Sequence, residues 1–138
     1  MQKPFVAWTS KMSVGVDALD DDHKCLLGIL NDLHDGITAG RGTERLGKVL
    51  NGLVSYTGPH FAREEELFVQ TGYPDSAEHI KEHQALSSQI LDMHVRYNKG
   101  LFDGLSLEAL VFLNEWVNDH IQVSDKKYKA HLNASGIH

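Results

Sequence analysis

The sequence lacks the features from which disulfides, basic surfaces and membrane spans are built. It has one cysteine, Cys25, so no disulfide can form within the chain, as is typical of a reducing compartment. The net charge is −6 and no basic patch stands out, which argues against a nucleic-acid partner. No apolar run approaches the roughly 20 residues of a membrane helix, and none near Met1 suits a signal peptide. We therefore expect a cytoplasmic monomer.

Strand patterning is also missing, because no segment alternates convincingly between apolar and polar residues. Four segments instead carry apolar residues at helical spacing, and turn residues separate them. They begin near Ala18, Thr43, Asp75 and Ser106, and Ser106 is predicted to be the N-cap of the fourth. Short connections between long amphipathic helices favour antiparallel neighbours. The predicted fold is therefore all-α, an up-down-up-down four-helix bundle.

The length of the chain suits one domain with one core. We expect residues 1–17 to form an N-terminal arm, with Trp8 as a candidate to pack it onto the bundle, residues 18–131 to form the bundle, and residues 132–138 to form a tail. Gly58-Pro59 interrupts the second helix, and the apolar pattern resumes at once. A kink is predicted there, without an end of the helix.

Histidine, in contrast, is abundant, with nine residues, all but the terminal His138 spread through the patterned segments. His60 and Glu64 are four residues apart, as are His79 and His83, so each pair stands on one face of its helix. Both pairs lie in line with apolar core positions. Buried polar groups need partners, and converging histidines can find one in a metal ion.

His23 and His120 are also in line with the core positions of their helices. In an antiparallel bundle the starts of odd helices meet the ends of even ones, which places all these residues at one level. Asp125 follows His120 by five residues, about 500° of rotation on a regular helix. It can join the same site only if the helix unwinds or bulges after His120.

This set of donors predicts a pair of iron ions. Imidazoles and carboxylates with an open position suit non-haem iron better than calcium, magnesium or tetrahedral zinc. Five histidines, two bridging carboxylates and a bridging oxide or hydroxide leave one position vacant on two six-coordinate ions. The segment from His79 to His83 also matches the inverted zinc-protease pattern, with Glu82 as the base. That alternative is weaker, because the chain is short and five histidines exceed what the chemistry needs.

Four stretches of the sequence resemble the hemerythrin family, in particular single-domain bacterial hemerythrins. The order and spacing of these stretches follow the family over most of the chain. They are Leu19 to Lys24, His60 to Glu65, Gly72-Tyr73-Pro74 with His79 to His83, and Trp116 to Lys126.

The resemblance implies that His79, His83 and His120 hold one iron ion and that His23 and His60 hold the other, which keeps the vacant position. Glu64 and Asp125 would bridge the two ions. The implied function is reversible binding of dioxygen for storage, transport or delivery, in a protein that is not an enzyme. Residues that would keep the binding pocket dry and apolar are also expected. The candidates are Leu27, Phe61, Trp116 and Val117.

Two other functions stay open at this point. The same site could serve an enzyme that reduces peroxide or nitric oxide, or that oxidises ferrous iron. It could also serve a sensor module in which occupancy changes a contact with a partner protein. Five imidazoles weigh against the first, because bundle di-iron oxidases have carboxylate-rich sites. Against the sensor module, no signalling domain is attached in this sequence.

Some polar residues near the motifs receive no role. Asp22 stands where the family often has glutamine, and the Gly58-Pro59 pair is atypical before His60. Cys25 is turned away from the site by its spacing. Other histidines fall outside the pattern, and several charged residues are predicted to form a solvated face. The histidines are His34, His94, His131 and His138, and the charged residues are Glu65, Glu66, Asp119 and Lys126.

Overall fold

Four long helices make up most of the computed structural model, which describes residues 5–138. They are α1 (Asp17–Thr38), α2 (Gly42–Thr71), α3 (Ser76–Asn98) and α4 (Leu105–Trp116). The last helix continues directly into a π-helix, Val117–Asp125, here called the π segment, and a short helix α5 (Lys129–Ala134) follows. No strand forms within residues 5–138, so the predicted all-α class is confirmed.

Helix packing follows the predicted bundle. α1 packs on α2 and on α4, α2 packs on α3, and α3 packs on α4, so the four helices enclose one core. Leucine dominates this core, because its positions recur every three or four residues along one face of each helix. Fully or almost fully buried members include Leu26, Leu30, Leu33, Leu46, Leu50, Leu53, Leu86, Ile90, Met93 and Leu113.

The N-terminal arm is fixed to the bundle by hydrogen bonds as well as by apolar packing; its first four residues lie outside those described. The backbone N–H of Val6 donates to Asn31 Oδ1 at 2.8 Å, and Asn31 Nδ2 donates to the Val6 carbonyl at 2.7 Å. Trp8 packs against the core, as predicted. Val14 is fully buried, and its N–H donates to Asp20 Oδ1 at 2.8 Å near the start of α1.

A second apolar cluster covers the end of the bundle where α1 and α3 begin. It combines the arm, the end of α2 and the C-terminal helix, with Val14, Phe68 and Tyr128 among its members. Leu132 belongs to it and is fully buried. The segment from residue 132, which the sequence predicts to be a tail, therefore begins inside packed structure.

The helix ends show where local sequence signals succeed and fail. α2 runs unbroken through Pro59, so Gly58-Pro59 does not end it, as predicted. Gly72 ends α2 in the left-handed conformation, at φ 65°, which glycine adopts without strain. Ser106 is not the N-cap of α4, because Gly104 caps the helix in a left-handed conformation at φ 65°, and the helix begins two residues earlier than a cap at Ser106 would place it.

Two glycines within α1 should respond to alanine with opposite signs. A Cβ on Gly36 would meet Arg45 Cβ at 2.6 Å, next to the backbone of α2, whereas nothing lies within 4 Å of a Cβ on Gly28. We expect Gly36→Ala to lower the free energy of unfolding by about 1–3 kcal/mol through overpacking. Gly28→Ala should raise it by about 0.5–1 kcal/mol, because alanine favours the helix. Urea unfolding followed by circular dichroism measures both, and equal effects would contradict this close approach of α1 and α2.

Candidate metal centre

All seven residues predicted to bind metal lie in one buried cluster, at the level where α1 and α3 begin and α2 and the π segment end. None of them exposes more than 3% of its surface. They are His23 on α1, His60 and Glu64 on α2, His79 and His83 on α3, and His120 and Asp125 on the π segment. The structure therefore brings together every member of the predicted set.

The cluster divides into two groups that share both carboxylates. In each group, ligand atoms from all members lie within 4.8 Å of one another. One group has three histidines and the other has two. The first consists of Glu64, His79, His83, His120 and Asp125, and the second of His23, His60, Glu64 and Asp125. This division is the one that the sequence resemblance implies for two ions.

Asp125 lies between the two groups and turns one oxygen to each. Its Oδ1 is 2.8 Å from His79 Nε2 and 2.9 Å from His120 Nε2, in the three-histidine group. Its Oδ2 is 3.0 Å from His23 Nε2, in the two-histidine group. A carboxylate in this position can bind one ion with each oxygen.

Glu64 occupies the corresponding place on α2. Its Oε1 is 3.0 Å from His60 Nε2 and 3.2 Å from His83 Nε2, so that oxygen contacts both groups. Its Oε2 is 3.9 Å from His79 Nε2. Glu64 is fully buried and comes from the neighbouring helix, which gives the cluster a second shared carboxylate.

The π segment explains how Asp125 reaches the cluster. On a regular helix, five residues after His120 would point Asp125 well away from the histidine. A π-helix pairs each residue with the one five positions later, so such residues come back to nearly the same face. The structure forms this irregularity over Val117–Asp125, at the place where the sequence requires one.

The polar atoms at the centre of the cluster are oriented toward a shared space. The close nitrogen–oxygen pairs there do not have hydrogen-bond geometry with one another. Within residues 5–138, the buried atoms that find no hydrogen-bond partner include Nε2 of His23, His79, His83 and His120 and both carboxylate oxygens of Glu64 and Asp125. Buried polar atoms are rarely left unsatisfied. Imidazole nitrogens and carboxylate oxygens converging in this way fit a pair of transition-metal ions.

Three carboxylates outside the cluster hold the far side of three histidine rings. His60 Nδ1 donates to Asp22 Oδ2 at 2.9 Å, and Arg63 also pairs with Asp22. Two further contacts follow the same pattern on the next helices. They are His83 Nδ1 to Glu65 Oε2 at 3.4 Å and His120 Nδ1 to Glu82 Oε1 at 3.2 Å. Such partners fix the ring orientation and leave Nε2 free for a metal.

The sequence predicts no such role for these outer carboxylates. It indicates no role for Asp22, predicts Glu65 on a solvated face, and offers Glu82 only as the base of the weaker protease alternative. The signal that could have found them is adjacency, because each stands next to a cluster residue in the chain. A neighbouring position on a helix is rotated by about 100°, toward the adjacent helix.

The buried carboxylates and imidazoles perturb one another's ionisation. Burial opposes the charged form of His60, but the carboxylates of Glu64 and Asp22 outweigh it and raise its pKa from 6.5 to about 9. Burial and the charge of Asp125 oppose ionisation of Glu64, yet contacts with His60 and His83 lower its pKa to about 2. Without metal, a proton on His60 therefore offsets part of the buried negative charge of the two carboxylates.

The chain matches a known domain family over most of its length. The sequence model described as hemerythrin HHE cation binding domain matches residues 14–132, which include all seven clustered residues. The chain belongs to the hemerythrin family. The family's description as a cation-binding domain agrees with the convergence of the unpartnered donor atoms.

Individual hemerythrins cover nearly the whole chain. Bacteriohemerythrin of Stenotrophomonas maltophilia is 33% identical over 133 residues, 94% of this chain and 85% of its own length. Bacteriohemerythrin of Methylococcus capsulatus is 32% identical over 131 residues, 94% and 98% of the two chains. The crystal structure of wild-type hemerythrin superposes with a TM-score of 0.79 at 30% identity, covering 93% of this chain and 98% of that one. All three of these relatives are named hemerythrin or bacteriohemerythrin.

The predicted pocket residues of this hemerythrin are all buried or half-buried. Phe61 stacks on His83 with ring centroids 3.8 Å apart, and Trp116 stacks on His120 at 3.9 Å. Leu27 and Val117 are buried in the core, 4% and 1% exposed. The aromatic residues thus contact rings of the three-histidine group, and their role as pocket lining stays a prediction.

Three further observations concern the rest of the hemerythrin chain. The remaining histidines that were predicted to lie outside the site are absent from both groups; among the described residues, His94 contacts Asn51 and His131 contacts the Thr71 carbonyl. No helix among residues 5–138 is both long enough and apolar enough to cross a membrane. The fully buried Tyr128, which sequence analysis did not single out, places its ring 5.6 Å from that of His79.

Proposed function

We propose that this chain binds dioxygen reversibly at a pair of iron ions, for storage, transport or delivery of oxygen. The observation that carries the proposal is the pair of fully buried carboxylates, Glu64 and Asp125, each of which lies between a group of three histidines and a group of two. One side of the centre is then richer in ligands than the other. This asymmetry supports an open position on the side of His23 and His60.

Different residues would bind each of the two ions. His79, His83 and His120 would hold one ion, His23 and His60 would hold the other, and Glu64 and Asp125 would bridge both. A di-iron centre of this kind, bridged by oxide or hydroxide, supplies a vacant position and the electrons that reversible oxygen binding exchanges. Asp22, Glu65 and Glu82 would keep three of the rings turned toward the metal.

Exclusion of water is the second task of the chain. The rings of Phe61 and Trp116 cover His83 and His120, and the buried side chains of Leu27 and Val117 add apolar surface. A dry, apolar surround would disfavour delivery of protons to the site, and release of unaltered dioxygen would depend on that. The same four residues would therefore favour reversible binding over turnover.

Optical spectra of the metal-loaded protein test this proposal. We expect a new band when air is admitted to the reduced protein, and we expect it to fade when the sample is purged with argon. A band that cannot be purged would mean irreversible oxidation and would favour an enzyme. His60→Ala should abolish the reversible band, and His94→Ala, a change at a half-buried histidine outside the cluster, should leave it intact.

We also propose that the protein acts as a monomer in the cytoplasm. The lone Cys25 is exposed and unpaired among the described residues, and an exposed free thiol suits a reducing compartment. Light scattering after size exclusion measures the mass in solution, and fractionation of cells shows the location. A mass of twice 15.4 kDa, or recovery outside the cytoplasm, would contradict this part.

A further inference from the structure

A single carboxylate oxygen on α3 accepts hydrogen bonds from two residues of the π segment. Ser124 Oγ donates to Glu82 Oε1 at 2.7 Å, and His120 Nδ1 donates to the same oxygen at 3.2 Å. Both donors belong to the π segment and stand four residues apart. Ser124 is 9% exposed and His120 is 2% exposed, so neither group would be readily satisfied by water if Glu82 were missing.

The π segment needs such support because its conformation is rare. A π-helix gives up the regular pairing of residues four apart, and it persists mainly where the surrounding structure demands it. A serine inside a helix usually bonds its hydroxyl to the carbonyl four residues back. Here the hydroxyl of Ser124 is directed across to α3 instead, and Asp125 is the next residue in the chain. The hydrogen bond between Ser124 and Glu82 therefore lies one residue from Asp125, a shared carboxylate of the cluster.

We propose that Glu82 is a positioning residue that holds the π segment in its conformation and thereby places Asp125 and His120 in the cluster. Without the two hydrogen bonds to Glu82, the π segment would relax toward a regular helix, which turns Asp125 away from His120. The conformational part depends only on contacts within this chain. Its consequence for bound iron rests on the proposed function.

The other outer carboxylates differ from Glu82 in what they hold. Asp22 contacts a ring on α2, and Glu65 contacts a ring on α3, and both of those helices are regular at the contact. Their loss would free one imidazole to rotate and would leave the backbone unchanged. Glu82 alone of the three contacts two residues of an irregular segment, so its loss should change the backbone conformation of that segment.

Amide hydrogen exchange of the full-length, metal-loaded protein tests the conformational part. In Glu82→Ala we expect the amides of residues 117–125 to exchange about tenfold faster than in the wild type, because two hydrogen bonds are lost. Glu82→Gln keeps an oxygen acceptor in place and should stay within about twofold. Glu78→Ala removes an exposed carboxylate from the same helix and should leave exchange unchanged.

Unchanged exchange of residues 117–125 in Glu82→Ala would overturn the proposal, and so would equally fast exchange in Glu82→Gln. If Glu82→Ala fails to fold, Ser124→Ala removes one of the two contacts and should still accelerate exchange about threefold. No acceleration in that variant would also overturn it.

Loss of iron to a chelator tests the consequence for the metal centre. We expect Glu82→Ala to release iron about tenfold faster than the wild type, in step with its amide exchange, and Glu82→Gln to release it at nearly the wild-type rate. Fast exchange with unchanged iron release would overturn the link between the π segment and the metal. A wild-type protein that binds no iron would refute the proposed function, yet the exchange comparison would still decide the role of Glu82.

Discussion

Replacing Glu64 with alanine is expected to reduce the iron content from two ions per chain to one or none and to abolish magnetic coupling between any ions that remain. Glu64 is fully buried, and its oxygens approach nitrogens of His60, His83 and His79 from both groups. Alanine removes a ligand from each proposed ion at once. It also removes one of the two buried negative charges that offset the charge of the metal. Elemental analysis gives the iron content, and Mössbauer spectra in an applied field report the coupling.

Matched variants separate ligation from general damage to the bundle. Glu64→Gln keeps the volume of the side chain and one oxygen but loses the charge, so it should retain the fold and still lose coupling. Glu66→Ala removes an exposed carboxylate two residues away on the same helix and should keep both ions. Wild-type iron content and coupling in Glu64→Ala would contradict bridging by Glu64.

Helical periodicity was sufficient to predict the bundle and the depth of most of the site. His23, His60, His79, His83 and His120 each repeat the spacing of apolar core residues, and antiparallel packing then fixes their common level. This inference needs only that each helix be regular and amphipathic. The structure places all five rings in one buried cluster, as that reasoning requires.

Asp125 marks the limit of periodicity, because a regular helix turns it away from His120. The sequence could state only the condition under which Asp125 joins the site, namely a bulge after His120. The π segment meets that condition, and the contacts of Ser124 and His120 with Glu82 depend on a different helix. The local sequence places Glu82 beside His83, but it does not show that Glu82 contacts the π segment.

The sequence also did not predict the roles of charged residues at partly exposed positions. Asp22 is 22% exposed and Glu82 is 42% exposed at the side chain, which is ordinary for carboxylates on a helix surface. Only the position of the neighbouring helix turns them from solvated groups into partners of histidine rings. The prediction of Ser106 as an N-cap was wrong for a different reason. Gly104, which is left-handed and precedes Leu105, caps the helix despite the usual preference for serine at this position.

Removing the metal is expected to make the stability of the protein fall between pH 6.5 and 9. His60 has a folded pKa of about 9 and an ordinary value of 6.5, so the stabilisation from its protonation is complete below pH 6.5 and is lost as the pH rises to 9. His120 shifts in the same direction, because the nearby Asp125 outweighs its burial. For His60 the loss is on the order of 3 kcal/mol, or about 10 °C in Tm. Thermal unfolding of chelator-treated protein between pH 5.5 and 9.5 measures the slope.

Bound metal should reverse this behaviour, because ligation takes the place of the protons on the rings and becomes more favourable as the histidines lose them. The difference in Tm between loaded and metal-free protein should therefore widen from pH 6.5 to 9. In acid the metal-free protein weakens again, since Glu64, whose pKa is about 2, loses its contribution as the pH falls from 4.5 toward that value. His60→Ala should flatten the alkaline slope of the metal-free protein, and His94→Ala should preserve it. A metal-free wild type that grows more stable from pH 6.5 to 9 would show that protonated His60 does not offset the charge of the buried carboxylates in the folded protein.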